Sequence, residues 1–269
     1  MRQTIKVGAE EATLVGTIFR PVKDIKPRSA IIIETGLSLN RWSITSYIAE
    51  YISSKGITAV TYDRRSHNES TGEFISKRLP EDLDTIIEFL GKHHKKTRVG
   101  LIGFCFGGIP AIYCAANNKK VKALALLNAY PEYGHMERRS RQFNLRRIKY
   151  FLAWAAYKSG IYKILSDKVR ELHVIKLEKG SGLHYRTRQF IPELVNGLDA
   201  RNILGDVNVP TLIIQATEDK MVDPKIADEM LSSCGAKNKA LCKIQDGHFF
   251  RAKMDEAAEK AAKFFLKYL

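Results

Sequence analysis

The sequence has no apolar run approaching the roughly 18 residues a membrane-spanning helix needs. Its N-terminus, MRQTIKVGAEEATLVGTIF, alternates polar and apolar residues without a hydrophobic signal core. Nothing there directs export, so the expected location is the cytosol. Cysteine is scarce: Cys105, Cys114, Cys234 and Cys242 are too few for a disulfide scaffold, and their spacing fits no zinc-ligand pattern, so no metal or cofactor is expected. At least three of the four are expected only to pack. Acidic residues are also in short supply, 29 Asp and Glu against 44 Lys and Arg, which leaves a net charge of +15. That balance invites a nucleic-acid partner, but no nucleic-acid-binding motif is present and none is expected to bind. Apolar content is ample, 45% of 269 residues, which excludes a disordered chain and suffices for one large domain with a sizeable core.

Short runs rich in Ile and Val recur along the chain, separated by segments of helical period. Thr4 to Val7 and Leu14 to Phe19 read as an opening hairpin closed by Pro21. Ala30 to Glu34, Thr58 to Tyr62, Val99 to Phe104, Lys122 to Leu127 and Thr211 to Gln215 read as strands buried on both faces, and Ala240 to Gln245 as a last strand. Helices are expected at Ser43 to Lys55, Leu79 to Lys92, Phe106 to Ala116, Pro224 to Cys234 and Asp255 to Leu269. This alternation predicts an α/β fold with a mostly parallel, twisted sheet flanked by helices. From Pro131 to Gly205 the rhythm breaks, with helical pieces and no clear strand. That stretch far exceeds the roughly 2 to 6 residues of a usual α/β connection. The expected organisation is a core of residues 1–130 and 206–269, with a helical cap inserted at 131–205.

Gly103-Phe104-Cys105-Phe106-Gly107-Gly108 follows one of these strands and opens a helix. A nucleophile held on a tight strand-to-helix turn needs small residues two positions before and after it, because the backbone there is strained and closely approached. The helix N-terminus behind Cys105 favours the thiolate, the reactive form. The N–H of Phe106 is then expected to face a developing oxyanion. The plain alternative is a glycine-rich turn holding a buried cysteine.

These residues resemble the nucleophile elbow of the α/β-hydrolase superfamily, and the cysteine version is most similar to that of dienelactone hydrolases. The resemblance implies an α/β-hydrolase fold and the chain order nucleophile, acid, histidine. Two later segments match that order: Ala216-Thr217-Glu218-Asp219, with Asp219 at the acid position, and Asp246-Gly247-His248-Phe249 before the last helix. His248 is expected to take the thiol proton while Asp219 accepts its other ring N–H. The competing acid, Asp223, suits a cap for the helix starting at Pro224; the strand-edge position of Asp219 favours it for the site. The second oxyanion donor carried over from the resemblance is the N–H of Leu37, in Glu34-Thr35-Gly36-Leu37, with Thr35 where the family often has His. Asp63 to Ser70 resembles the D-x-R-G-x-G-x-S turn after the fourth strand, with Ser66 and Asn68 replacing both glycines. His67 within it reads as a loop hydrogen-bonder rather than a catalyst. The resemblance covers residues 1–130 and 206–269.

A thiolate attacks well and also leaves well, so thioesters, activated esters and lactones, whose own leaving groups depart readily, suit Cys105 better than alkyl esters. The expected function is an acyl hydrolase working through an acyl-cysteine. An acyl-cysteine is nearly isoenergetic with a thioester donor, so an acyltransferase or cyclase is the alternative. A non-catalytic α/β-hydrolase-like ligand-binding protein is a further reading, against which the three ordered triad residues argue. The expected cap resembles that of the lid-bearing lipase-like and thioesterase-like branches. Its apolar block from Tyr150 to Tyr157 either packs the cap onto the core or lines an acyl pocket with Phe151 and Trp154. Between Arg138 and Arg188 lie 14 Lys and Arg against 3 Asp and Glu, a net +11. Such a lid is either a solvated face or an attractor for an acidic acyl-carrier protein, a coenzyme A thioester or an anionic membrane surface.

Overall fold

The computed structural model of the chain describes residues 1–37, 39–132 and 197–269. The expected cap is thus seen only at its two ends; Phe151, Trp154 and the basic run lie outside the described residues. Eight strands form one sheet among those residues: β1 (Arg2–Ala9), β2 (Ala12–Phe19), β3 (Ser29–Glu34), β4 (Thr58–Tyr62), β5 (Arg98–Phe104), β6 (Val121–Leu127), β7 (Thr211–Ala216) and β8 (Lys239–Ile244). Their order across the sheet is β1-β2-β4-β3-β5-β6-β7-β8. Strand β2 runs antiparallel to both β1 and β4, and every other pairing is parallel.

Burial follows the sequence pattern. In β3 all six residues of SAIIIE are buried, as expected of a central parallel strand covered on both faces. At the edge, β1 buries only Ile5 and Val7, every second residue of one face. Helices α1 (Ile44–Ser54), α2 (Leu79–His94), α3 (Gly108–Asn117), α4 (Lys225–Ser233) and α5 (Met254–Tyr268) flank the sheet. Helix α1 packs on α5, and α2 on α3. The stripe that α5 buries is Ala257, Ala258, Ala261, Ala262 and Phe265, small side chains at helical spacing that let the helix lie close to the strands. Helix α2 carries Glu81 and Asp82 in its first turn and Lys92, His93 and His94 in its last, the charge order the helix dipole favours.

The path of the chain reverses at the centre of the sheet: from β3 it goes to β4 on one side, then crosses back to β5 on the other. Because β3 and β5 pair in register, Glu34 lies beside Gly103. The loops leaving these two strands therefore open side by side at their C-terminal ends, where α/β sheets place their ligand sites.

Candidate active site

Cys105 stands at the end of β5 on a tight 3₁₀ turn, Cys105–Gly107, which leads into α3. The expected helix start at Phe106 thus falls within that turn, and α3 itself begins at Gly108. The backbone φ of Cys105 is +55°, a left-handed conformation that costs an L-residue about 1–2 kcal/mol. Its neighbours are glycines because nothing else fits. A Cβ on Gly103 would lie 2.6 Å from Gly108 Cα, and one on Gly107 would lie 2.4 Å from the Glu34 carbonyl oxygen. Gly36 faces Cys105 from the other side, where a Cβ would lie 3.4 Å from Cys105 Cβ. The loop bearing Leu37 therefore lies against Cys105.

His248 and Asp219 meet although 29 residues separate them. His248 Nδ1 lies 2.7 Å from Asp219 Oδ2, and both side chains are buried. The other carboxylate oxygen of Asp219 accepts the N–H groups of Met221 at 2.7 Å and Val222 at 2.9 Å. The acid is thus fixed by its own loop. Asp223 points elsewhere and accepts the N–H of Lys225 at the head of α4, the capping role weighed for it. Burial alone would push the His248 pKa down. The neighbouring Cys105 sulfur, together with the Asp219 hydrogen bond and charge, overrides burial and raises it to about 10. A ring with that pKa carries its proton at neutral pH. Its buried Nε2 has no hydrogen-bond partner among the described residues, and Phe104 and Phe249 pack on the ring at 5.3 and 5.0 Å.

Two residues that sequence reasoning missed bring the acid and the histidine together. Asn128, fully buried at the end of β6 with φ +44°, donates to the His248 carbonyl at 2.7 Å and accepts the Ala216 N–H at 2.7 Å. Asp246 closes the histidine loop, accepting the N–H groups of Gly247, Ala252 and Lys253. An Asn directly after a buried strand, at the edge where the other site residues emerge, is the one signal that pointed to the first.

Arg64 donates to the Glu34 carboxylate and to the carbonyls of Thr35 and Gly36. The Thr35 hydroxyl lies 3.2 Å from the Gly36 carbonyl and 3.3 Å from that of Leu39, so the residue in the usual histidine position ties its own loop. His67 is buried and faces two carbonyls, Arg65 at 3.0 Å and Leu37 at 3.1 Å, the hydrogen-bonding part expected of it. Ser66 and Asn68 take φ of +68° and +46°, so the turn keeps the left-handed backbone of the glycines they replace. Among the described residues no group of three or more His, Cys, Asp or Glu side chains could hold a metal ion.

A family model described as Serine aminopeptidase, S33, matches residues 25–248. The chain belongs to this family of α/β hydrolases. The family's description names a serine enzyme, whereas the candidate nucleophile of this hydrolase is a cysteine, Cys105. The chain is 29% identical over 134 residues to the polyketide transferase grgF of a Penicillium species, and that match spans 47% of this chain and 45% of the relative, about half the length of each. The solved structure of GrgF from Penicillium sp. sh18 superposes with a TM-score of 0.75 at 17% identity, over the whole of this chain and 99% of the other. The Pyrococcus furiosus esterase Pf2001 gives 0.74 at 16% identity, covering 100% and 90%. A dienelactone hydrolase from Anabaena variabilis gives 0.66 at 17% identity, covering 100% and 98%. At these identities the structural likenesses establish the fold. The family assignment makes the chain an α/β hydrolase.

Proposed function

We propose that this hydrolase acts on a thioester, activated ester or lactone through a Cys105–His248–Asp219 triad and an acyl-cysteine intermediate. The observation that carries the reading is the buried His248, bonded to Asp219 and held protonated beside the Cys105 sulfur. In the first half-reaction the thiolate attacks the carbonyl carbon, and the N–H groups of Leu37 and Phe106 receive the negative oxygen. As the tetrahedral intermediate collapses, the C–O or C–S bond to the leaving group breaks and His248 Nε2–H gives that group its proton. Neutral His248 then takes a proton from water, the hydroxyl attacks the acyl-cysteine, and the thiolate departs. Asp219 stays ionised throughout, holding the ring tautomer and stabilising the imidazolium.

Transfer to an acceptor other than water is the second reading, favoured by the thioester-like energy of an acyl-cysteine and by the partial match to a polyketide transferase. A donor held on coenzyme A or on an acidic acyl-carrier protein suits the basic stretch from Arg138 to Arg188. A small-molecule acyl substrate is common to both readings.

The test is to incubate the protein with a panel of acyl thioesters, activated esters and lactones, following intact mass and product. A transient adduct on Cys105 with turnover is expected. Absence of both across the panel refutes the catalytic reading and leaves a ligand-binding role. Adding amine, alcohol and thiol acceptors then separates hydrolysis from transfer.

A further inference from the structure

The turn after β4 holds the loop after β3 at several points. Arg64 holds the Glu34 carboxylate and the carbonyls of Thr35 and Gly36. The Leu37 carbonyl lies 3.1 Å from His67 Nε2, and the Arg41 N–H donates to Asp63 Oδ1 at 2.8 Å, with an ion pair between the same two side chains. In a planar trans peptide the C=O and the following N–H point in opposite directions. Fixing the Gly36 carbonyl toward Arg64 therefore turns the Leu37 N–H the other way. The peptide on the far side of Leu37 is fixed through its carbonyl, and His67 is the side chain that faces it.

We propose that His67 is a positioning residue for the oxyanion hole: its Nε2–H donates to the Leu37 carbonyl and locks the backbone on either side of the Leu37 N–H between two anchors, Arg64 and itself. The proposal rests on the acyl-cysteine reading above. His67 touches no reacting atom and acts only through Leu37. Burial, and then the Arg64 charge, hold its pKa down to about 4, so the ring is neutral at working pH and its single N–H goes to one of two facing carbonyls, Leu37 at 3.1 Å from Nε2 or Arg65 at 3.0 Å from Nδ1. Replacing it then removes a hydrogen bond without stranding a charge. Arg64 offers no such clean test, because its loss leaves Glu34 buried without its cation. Phe74 packs on the His67 ring at 5.8 Å, so a phenyl ring at 67 keeps that aromatic contact.

Four measurements on the full chain decide the matter. In His67→Phe, kcat for a thioester that the native protein turns over is expected to fall about tenfold or more, with KM within about twofold, since one misaligned oxyanion donor acts in the transition state. Alkylation of Cys105 by iodoacetamide, a displacement at saturated carbon that builds no oxyanion, is expected to keep its native rate. His67→Gln, which retains an N–H donor, is expected to recover most of the lost kcat. On the native protein, two-bond ¹⁵N–¹H correlation spectra are expected to show His67 as the Nε2–H tautomer, a readout independent of whether either variant folds.

Turnover by His67→Phe within twofold of native, alkylation slowed as much as turnover, or an Nδ1–H tautomer each overturns the proposal. A native protein that never forms an acyl-cysteine removes the catalytic reading first, before any variant is made, and the proposal falls with it.

Discussion

At Cys105 the backbone and the chemistry are inseparable. Its left-handed φ places it on the tight turn where β5 gives way to α3, the backbone that a nucleophile elbow requires. Cys105→Ala is expected to abolish turnover. Cys105→Ser is expected to leave a weaker enzyme with relatively more hydrolysis than transfer, since an oxygen ester resists passing to weak acceptors; a serine variant with enhanced transfer contradicts this. The protonated His248 sets the pH dependence. Its folded pKa lies above the ordinary 6.5, so the general acid is present at neutral pH and is lost as pH rises through about 10. A plot of log kcat/KM against pH is expected to fall there. In Asp219→Asn the fall is expected at lower pH, with kcat reduced by about 10³–10⁴, as when a triad acid no longer fixes the tautomer. An unmoved alkaline limb in that variant refutes the assigned partnership.

At the level of elements, the site is where three strand-to-loop exits are tied to one another. The β5 elbow touches the β3 loop through Gly107, whose place leaves no room for a side chain. Gly107→Ala is expected to cost about 1–3 kcal/mol, the range for overpacking a tight interior, and more activity than stability, read by urea unfolding beside kcat/KM. The turn after β4 is pinned from behind by the buried pair Arg65–Asp82, which joins it to α2. Burial raises the Asp82 pKa against the pull of Arg65, so the pair fixes position rather than adding stability at neutral pH. Asp82→Ala strands Arg65 and is expected to cost about 3–5 kcal/mol, whereas the double change Arg65→Met with Asp82→Leu is expected to be near neutral or stabilising. Equal losses in both variants refute that division of roles. Strand and helix limits were legible to within a few residues because burial on both faces imposes continuous apolar runs. They slipped at ends such as α3, where the Cys105–Gly107 turn precedes the regular helix.

Across the whole molecule, the excess positive charge is concentrated between Arg138 and Arg188. Reversing charges from Arg138 to Lys149 is expected to raise KM for a coenzyme A or carrier-bound donor by an amount that shrinks with added salt, and to spare small neutral esters. Equal effects on both donor types point to packing instead. Among the described residues no helix is long and apolar enough to cross a membrane. The sequence by itself determined the element order, because strand burial and tight turns restrict residue type locally, and its resemblance to α/β hydrolases marked the elbow around Cys105 and the candidate positions of Asp219 and His248. Only the tertiary structure decided that Asp219 rather than Asp223 meets His248, that Asn128 and Asp246 hold that meeting in place, and that the turn from Asp63 to His67 grips the oxyanion loop. Those choices depend on which strands lie side by side. Pairing across the sheet joins residues far apart in the chain through carbonyls and N–H groups that every residue carries, so no residue type announces them.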